Sequence, residues 1–188
     1  MSTDVKISLA EYEARAQRGD FTGRNHRRVE LIYGEIRDMG VTSDAHDALS
    51  ALLSHWSCTN TPEDVLIRPG CGLRMSAQES IPQPDIVVVR AGTPVRRKPT
   101  PTETLLVIEI ADSSLVNDLV LKRDLYASGD VPEYWVFDVP NRQVHVFRNP
   151  SRGAFQQTFV ASGNVTIAPQ SFPKAQLNIG ELFDEACE

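Results

Sequence analysis

Two apolar, β-branched runs dominate the middle of the chain: Ile86-Val87-Val88-Val89, and Leu105-Leu106-Val107-Ile108 continuing through Glu109-Ile110-Ala111. Runs of this length and composition predict strands buried on both faces. Residues 8–17 predict a short helix with Ser8 as its N-cap. Residues 28–39 alternate on either side of Tyr33-Gly34, the pattern of a hairpin. Thr42-Ser43-Asp44 opens a helix to about Trp56, with Ala45, Leu49, Leu52, Leu53 and Trp56 on one face and His46 at its edge. Residues 64–75 read as strand, turn, strand, broken at Pro69-Gly70. A helix from Leu115 to Ser128 ends at Gly129 and Pro132. Strands follow at 133–139 and 143–148, then two alternating stretches near 154–161 and 164–168, then a short helix around 179–185. This order predicts an α/β fold: one domain, 1–188, with a mixed sheet flanked by helices, an extra N-terminal hairpin and extra C-terminal strands.

Composition narrows the function classes. With 188 residues, 41% of them hydrophobic, the chain can bury a sizeable core. No apolar run approaches the ~20 residues that span a bilayer, and the N-terminus lacks a signal-peptide layout. The expectation is a cytoplasmic protein with no membrane partner. Cys58, Cys71 and Cys187 are widely spaced and form no CxxC pair, so neither a disulfide framework nor a zinc site is expected. The net charge of −6 argues against constitutive nucleic-acid binding, which needs clustered cations. Two basic islands temper that argument: Arg24-Asn25-His26-Arg27-Arg28, and Arg90 with Arg96-Arg97-Lys98. Taken alone, each fits solvated loop charge better than a binding patch.

The buried runs tolerate charge poorly, yet each carries a carboxylate. Asp85 enters the first, and Glu109 stands between Ile108 and Ile110 in the second. A lone buried carboxylate is costly and finds a cation, a hydrogen-bond donor or a metal ion. Lys122 supplies a candidate cation. At ~100° per residue, Leu115, Leu119, Lys122 and Tyr126 share the inward stripe of their helix, with Asp118 beside it, while Asn117, Arg123 and Asp124 point away. Alternatives stay open for each residue. Lys122 could merely pair with Asp118 one turn back, Asp85 could cap a backbone group after Pro84, and Glu109 could bond a nearby loop. His46 is consistent with a helix-edge position as well as a functional one. Together, two carboxylates and a lysine suit a hard divalent ion, Mg²⁺ or Mn²⁺, at Asp85 and Glu109, acting on a phosphodiester.

The ordered series Pro84-Asp85, Glu109, Asp118…Lys122…Tyr126 and Tyr134-Trp135-Val136…Asp138 resembles the Uma-type endonuclease family of the PD-(D/E)XK, restriction-endonuclease-like superfamily. Arg28-Val29-Glu30-Leu31-Ile32-Tyr33-Gly34-Glu35-Ile36 and the helix near His46 extend the resemblance over roughly residues 8 to 148. It implies a restriction-endonuclease-like fold, a metal ion held by Asp85 and Glu109, and hydrolysis of DNA phosphodiester bonds. It also brings in Glu30 and His46 as catalytic candidates at the rim of the site. Two departures from the family pattern stand out. The superfamily lysine two residues after the glutamate is Ala111 here, and Lys122 on the next helix takes its place. The usual Ser-Pro-Ser is Asp112-Ser113-Ser114, and an expected glycine is Asp130; these changes are expected to affect loop geometry only.

Three functions compete. An intact Asp85, Glu109 and Lys122 set favours a Mg²⁺-dependent DNA endonuclease, for which a homodimer would suit cutting both strands. The acidic balance favours a non-catalytic module of the same fold that binds protein or nucleic acid, or a hydrolase of small phosphate compounds.

Overall fold

The computed structural model describes residues 6–21 and 28–187. The first basic island lies largely outside them, at residues 24–27. Helix α1 (Leu9–Gln17) starts where predicted, with the Ser8 hydroxyl accepting from the Glu11 amide at 3.2 Å. The hairpin β1 (Val29–Ile32) and β2 (Glu35–Asp38) turns through Tyr33 at φ 51° and Gly34 at φ 82°. Two successive positive φ values match the twist of flanking strands. A side chain at Gly34 would also come within 3.0 Å of the Ile7 carbonyl oxygen, so the position has no room for one.

Helix α2 (Asp44–Asn60) is capped by Ser43, whose hydroxyl accepts from the His46 amide, and runs one turn beyond the predicted end at Trp56. Six strands form one sheet in chain order: β3 (Val65–Pro69), β4 (Ile86–Arg90), β5 (Thr104–Ala111), β6 (Glu133–Asp138), β7 (Gln143–Ser151) and β8 (Ala154–Ser162). All neighbours are antiparallel except β5 and β6. A parallel pair needs a crossover. It is supplied by α3 (Leu115–Asn117), a π-helical turn (Asp118–Lys122) and α4 (Arg123–Ser128), which run on without a break. A separate strand pair, β9 (Thr166–Ile167) with β10 (Leu177–Asn178), leads into helix α5 (Ile179–Cys187). The sequence thus predicted a mixed sheet with flanking helices, an added hairpin and added C-terminal strands, and the structure has them. Among the described residues no helix is long and apolar enough to cross a membrane.

The expected second strand over 71–75 is absent. Its backbone donors go to three different acceptors: Leu73 to Pro82, Arg74 to Pro99, and Met75 to Ser80, at 3.0, 2.8 and 2.9 Å. Leu73–Pro82 and Met75–Ser80 share one antiparallel register, but Pro82 has no N–H to return a bond and the Arg74 amide turns to Pro99, so only the isolated bridge of Met75 with Ser80 forms.

Period-two alternation sorts the strands onto the two faces. Leu106, Ile108 and Ile110 of β5 pack with Trp135 and Phe137 of β6 against α2 and α5. Val107 and Ala111 pack with Tyr134 and Val136 against Leu125 and Tyr126 of α4. Glu109 shares the second face, directly beneath the crossover helices.

Candidate active site

The register of β4 and β5 pairs Ile86 with Ile108 and Val87 with Val107. Continued by one residue, it sets Asp85 opposite Glu109. Two carboxylates facing each other across strands repel, so the fold needs donors to hold them. Asp85 Oδ2 accepts from the Ile110 amide at 2.7 Å, and Asp85 Oδ1 lies 3.2 Å from His46 Nε2. Asp85 thus caps a backbone amide, as the simpler reading held, and also meets His46. The bond to Asp85 raises the His46 pKa, with a smaller contribution from Asp47.

Glu109 Oε1 accepts from Lys122 Nζ at 3.0 Å and from the Tyr126 hydroxyl at 2.9 Å. Lys122 Nζ also lies 3.4 Å from Glu30 Oε2 and 3.4 Å from Asp118 Oδ1. Asp118 is held from its other side by the Ser114 hydroxyl at 2.5 Å. Asp118 Oδ1 is buried and accepts no hydrogen bond among the described residues, so the lysine is its ion-pair partner. Lys122 therefore pairs with Asp118, as the simpler reading held, and at closer range with Glu109.

Burial pushes the Glu109 carboxyl well above the usual range, against the pull of Lys122 and with the help of Asp118, Asp85 and Glu30. Asp118 is raised for the same first reason, burial. The surrounding carboxylates hold the Lys122 ammonium above its ordinary value despite its burial. The balance is plain: Glu30, Glu109 and Asp118 surround a single lysine, and Asp85 stands next to them. This cluster has fewer cations than it has carboxylates.

All five residues singled out in the sequence come together. Glu30, His46, Asp85, Glu109 and Lys122 line one cleft of about 480 Å³. Three details differ from expectation. Glu30 is not at the rim: it is 4% exposed, touches Lys122, and accepts from the Gln83 amide at 3.2 Å. Its depth comes from β1 bridging to the segment that leads into β4, through the mutual backbone bonds of Leu31 and Ile81. Asn117 does not point away but lines the cleft, because the π turn changes the phase of the helix. Asp112 and Ser113, the two positions that depart from Ser-Pro-Ser, line the cleft itself, while Ser114, where the pattern keeps its serine, holds Asp118. Asp130 adopts the left-handed φ of 58° that the expected glycine would take. Sequence reasoning missed Tyr126 as a partner of Glu109, although it had placed the tyrosine on the inward stripe.

Among the described residues, no three or more His, Cys, Asp or Glu side chains are arranged to enclose a metal ion by themselves. A cluster rich in carboxylates and short of cations suits a hard ion that keeps most of its coordination as water and takes one or two carboxylates.

Residues 9–180 match the model of the Uma2 family, described as "Putative restriction endonuclease". The chain belongs to the Uma2 family. Among solved structures, a "putative nuclease belonging to DUF820" from Anabaena variabilis aligns with a TM-score of 0.70 at 18% identity. The alignment covers 96% of this chain and 99% of that one, and at this identity it shows a shared fold. No curated protein matches the chain. The residues assigned to the cleft all fall within the span matched by the Uma2 model.

Proposed function

We propose that the cleft is the active centre of a Mg²⁺- or Mn²⁺-dependent endonuclease that hydrolyses DNA phosphodiester bonds, with Asp85 and Glu109 as the metal-holding carboxylates. The observation that carries this reading is the buried excess of carboxylates around Lys122. A divalent ion bound there would make water acidic enough to attack near neutral pH and would offset charge developing on the phosphate. The chain's own groups do the positioning. Tyr126 and Lys122 both bind Oε1 of Glu109, which fixes the carboxylate plane and directs Oε2 away from them. The Ile110 amide and His46 fix Asp85 in the same way. Lys122, anchored by carboxylates and in the cleft wall, is placed to stabilise a phosphoryl oxygen as its charge grows.

Membership of the Uma2 family supports this reading over a non-catalytic module. So does the cost of the cluster. Buried ion sets of this kind are often less stabilising than apolar side chains of the same volume, and a pure scaffold gains nothing from keeping one. The test is calorimetric titration with Mn²⁺ alongside hydrolysis of the small diester bis(4-nitrophenyl) phosphate. Wild type should bind the ion and release nitrophenolate, and Asp85→Asn and Glu109→Gln should do neither. Unchanged ion affinity in both variants would overturn the assignment.

A further inference from the structure

A second recess, a groove of about 760 Å³, has the opposite charge. It is lined by Arg68, Arg74, Arg96, Arg97 and Lys98 against a single carboxylate, Glu13. This is an unusual concentration of cations for a chain of net charge −6. Two of the five are already neutralised: Arg74 pairs with Glu13, and Arg97 binds Glu103 through two hydrogen bonds of 2.8 and 2.5 Å. The other three, Arg68, Arg96 and Lys98, have no carboxylate partner among the described residues.

The groove is built, not merely a place where loop charges meet. Arg68 on β3 donates to the carbonyls of Arg97 and Val95 at 2.9 and 3.2 Å, and the Arg74 amide donates to Pro99 at 2.8 Å. These bonds fasten the 95–99 loop along the groove. Its floor is Gly72, where an added Cβ would stand 2.8 Å from Gln83 Nε2 and 3.0 Å from Lys98 Cε. Glycine there lets the Lys98 and Gln83 side chains cross the floor. Gln83 in turn links the two recesses. Its side chain lies in the groove, while its amide donates to Glu30 Oε2 in the cleft at 3.2 Å. Two residues further on, ~7 Å of extended chain, stands Asp85.

We infer that this groove is a second anion-binding site that takes the phosphodiester backbone of the nucleic-acid strand running out of the Glu109 cleft. The inference rests on the hydrolase reading of the cleft, and it assigns Arg68, Arg96 and Lys98 as the backbone contacts. Cations lacking a carboxylate partner, set along a groove that lies across Gln83 from an acidic cleft, hold a strand by its phosphates and leave the cleft to the reacting one. Neutralising three phosphates makes binding steeply salt-dependent, each contributing ~0.9 to the slope of log K against log salt on duplex DNA.

The test measures binding of the full chain to a fluorescein-labelled 20-base-pair duplex by anisotropy, in EDTA so that nothing is cut, from 50 to 200 mM salt. The triple variant Arg68→Gln, Arg96→Gln, Lys98→Gln should bind about ten-fold or more weakly, with a salt slope smaller by about 2 to 3. Its Mn²⁺-dependent hydrolysis of bis(4-nitrophenyl) phosphate should match wild type, because that small diester does not reach the groove. Glu109→Gln should lose the hydrolysis and keep the salt slope. Equal affinity and slope in wild type and the triple variant would overturn the groove assignment, as would a wild type that binds no duplex. So would stabilisation of wild type alone by inorganic phosphate without duplex binding, which would make the groove a free-phosphate site. In each of these outcomes, small-diester hydrolysis would still report separately on the cleft.

Discussion

Lys122 lies within ion-pair distance of three carboxylates, and its removal has two separable effects. Met at this position keeps the volume and helix propensity but leaves Glu30, Glu109 and Asp118 without their cation. Breaking a buried ion pair from one side costs about 3–5 kcal/mol, so Lys122→Met should melt well below wild type without divalent ion and recover in part when Mg²⁺ is added. Cleavage should fall about 10²-fold or more, the size expected when one charge-stabilising donor is lost. A variant with wild-type melting and wild-type cleavage would reduce Lys122 to a partner for Asp118. Tyr126→Phe isolates the other donor to Glu109. A hydrogen bond to a charged acceptor contributes about 1.5–3 kcal/mol, so urea unfolding should register a loss in that range. Loss of activity should be smaller than for Lys122→Met.

The element that brings these residues together is the crossover between β5 and β6, and its π turn, Asp118–Lys122, is the unusual part. A π turn accommodates one residue more than an α-helical turn, and such turns recur at functional sites. Deleting Val120, which is 52% exposed, should restore α-helical phase and swing Lys122 away from Glu109. The expected outcome is retained far-UV circular dichroism with lost Mg²⁺-dependent cleavage. A deletion variant that still cuts would show that the π turn is dispensable. Asp85 and Glu109 were legible in the sequence because a charge inside a β-branched run violates the pattern that predicts the run. Lys122 was legible because helical period placed it inward. The π turn was not, since nothing in Asp118-Leu119-Val120-Leu121-Lys122 departs from an ordinary helix. Asn117 was therefore assigned to the wrong side. The depth of Glu30 was hidden for a different reason: it depends on Leu31 pairing with Ile81, fifty residues away, and local alternation carries no information about such a partner. The false strand at 71–75 failed for a local reason: the partner that Leu73 meets is Pro82, which has no N–H to complete a ladder.

At the scale of the whole molecule, the proposed metal centre predicts that stability depends on pH and on divalent ion. Burial holds the Glu109 and Asp118 carboxyls above their usual range, and the bond to Asp85 does the same for His46. Groups with raised folded-state pKa values contribute stability that is fully present below their unfolded values and lost as pH rises through the folded ones. The lowered carboxyls of Glu103, Asp47 and Asp138 have the opposite sign, and their contribution is complete above the ordinary carboxylate range near pH 4. Without divalent ion, the melting temperature should therefore decline as pH rises from about 6 through neutrality. Mg²⁺ should flatten that decline, because it supplies the missing cation. A melting temperature that rises with pH over this window would contradict the charge balance described for the cleft.

The central claim, a divalent-ion-dependent phosphodiesterase centre at Asp85, Glu109 and Lys122, is tested most directly by nicking of supercoiled plasmid. Wild type should convert it to open-circular and linear forms with Mg²⁺ or Mn²⁺ and leave it intact in EDTA. Glu109→Gln, folded and still binding duplex, should leave it intact under all three conditions. No conversion by wild type with either ion, or conversion by Glu109→Gln at the wild-type rate, would contradict the account.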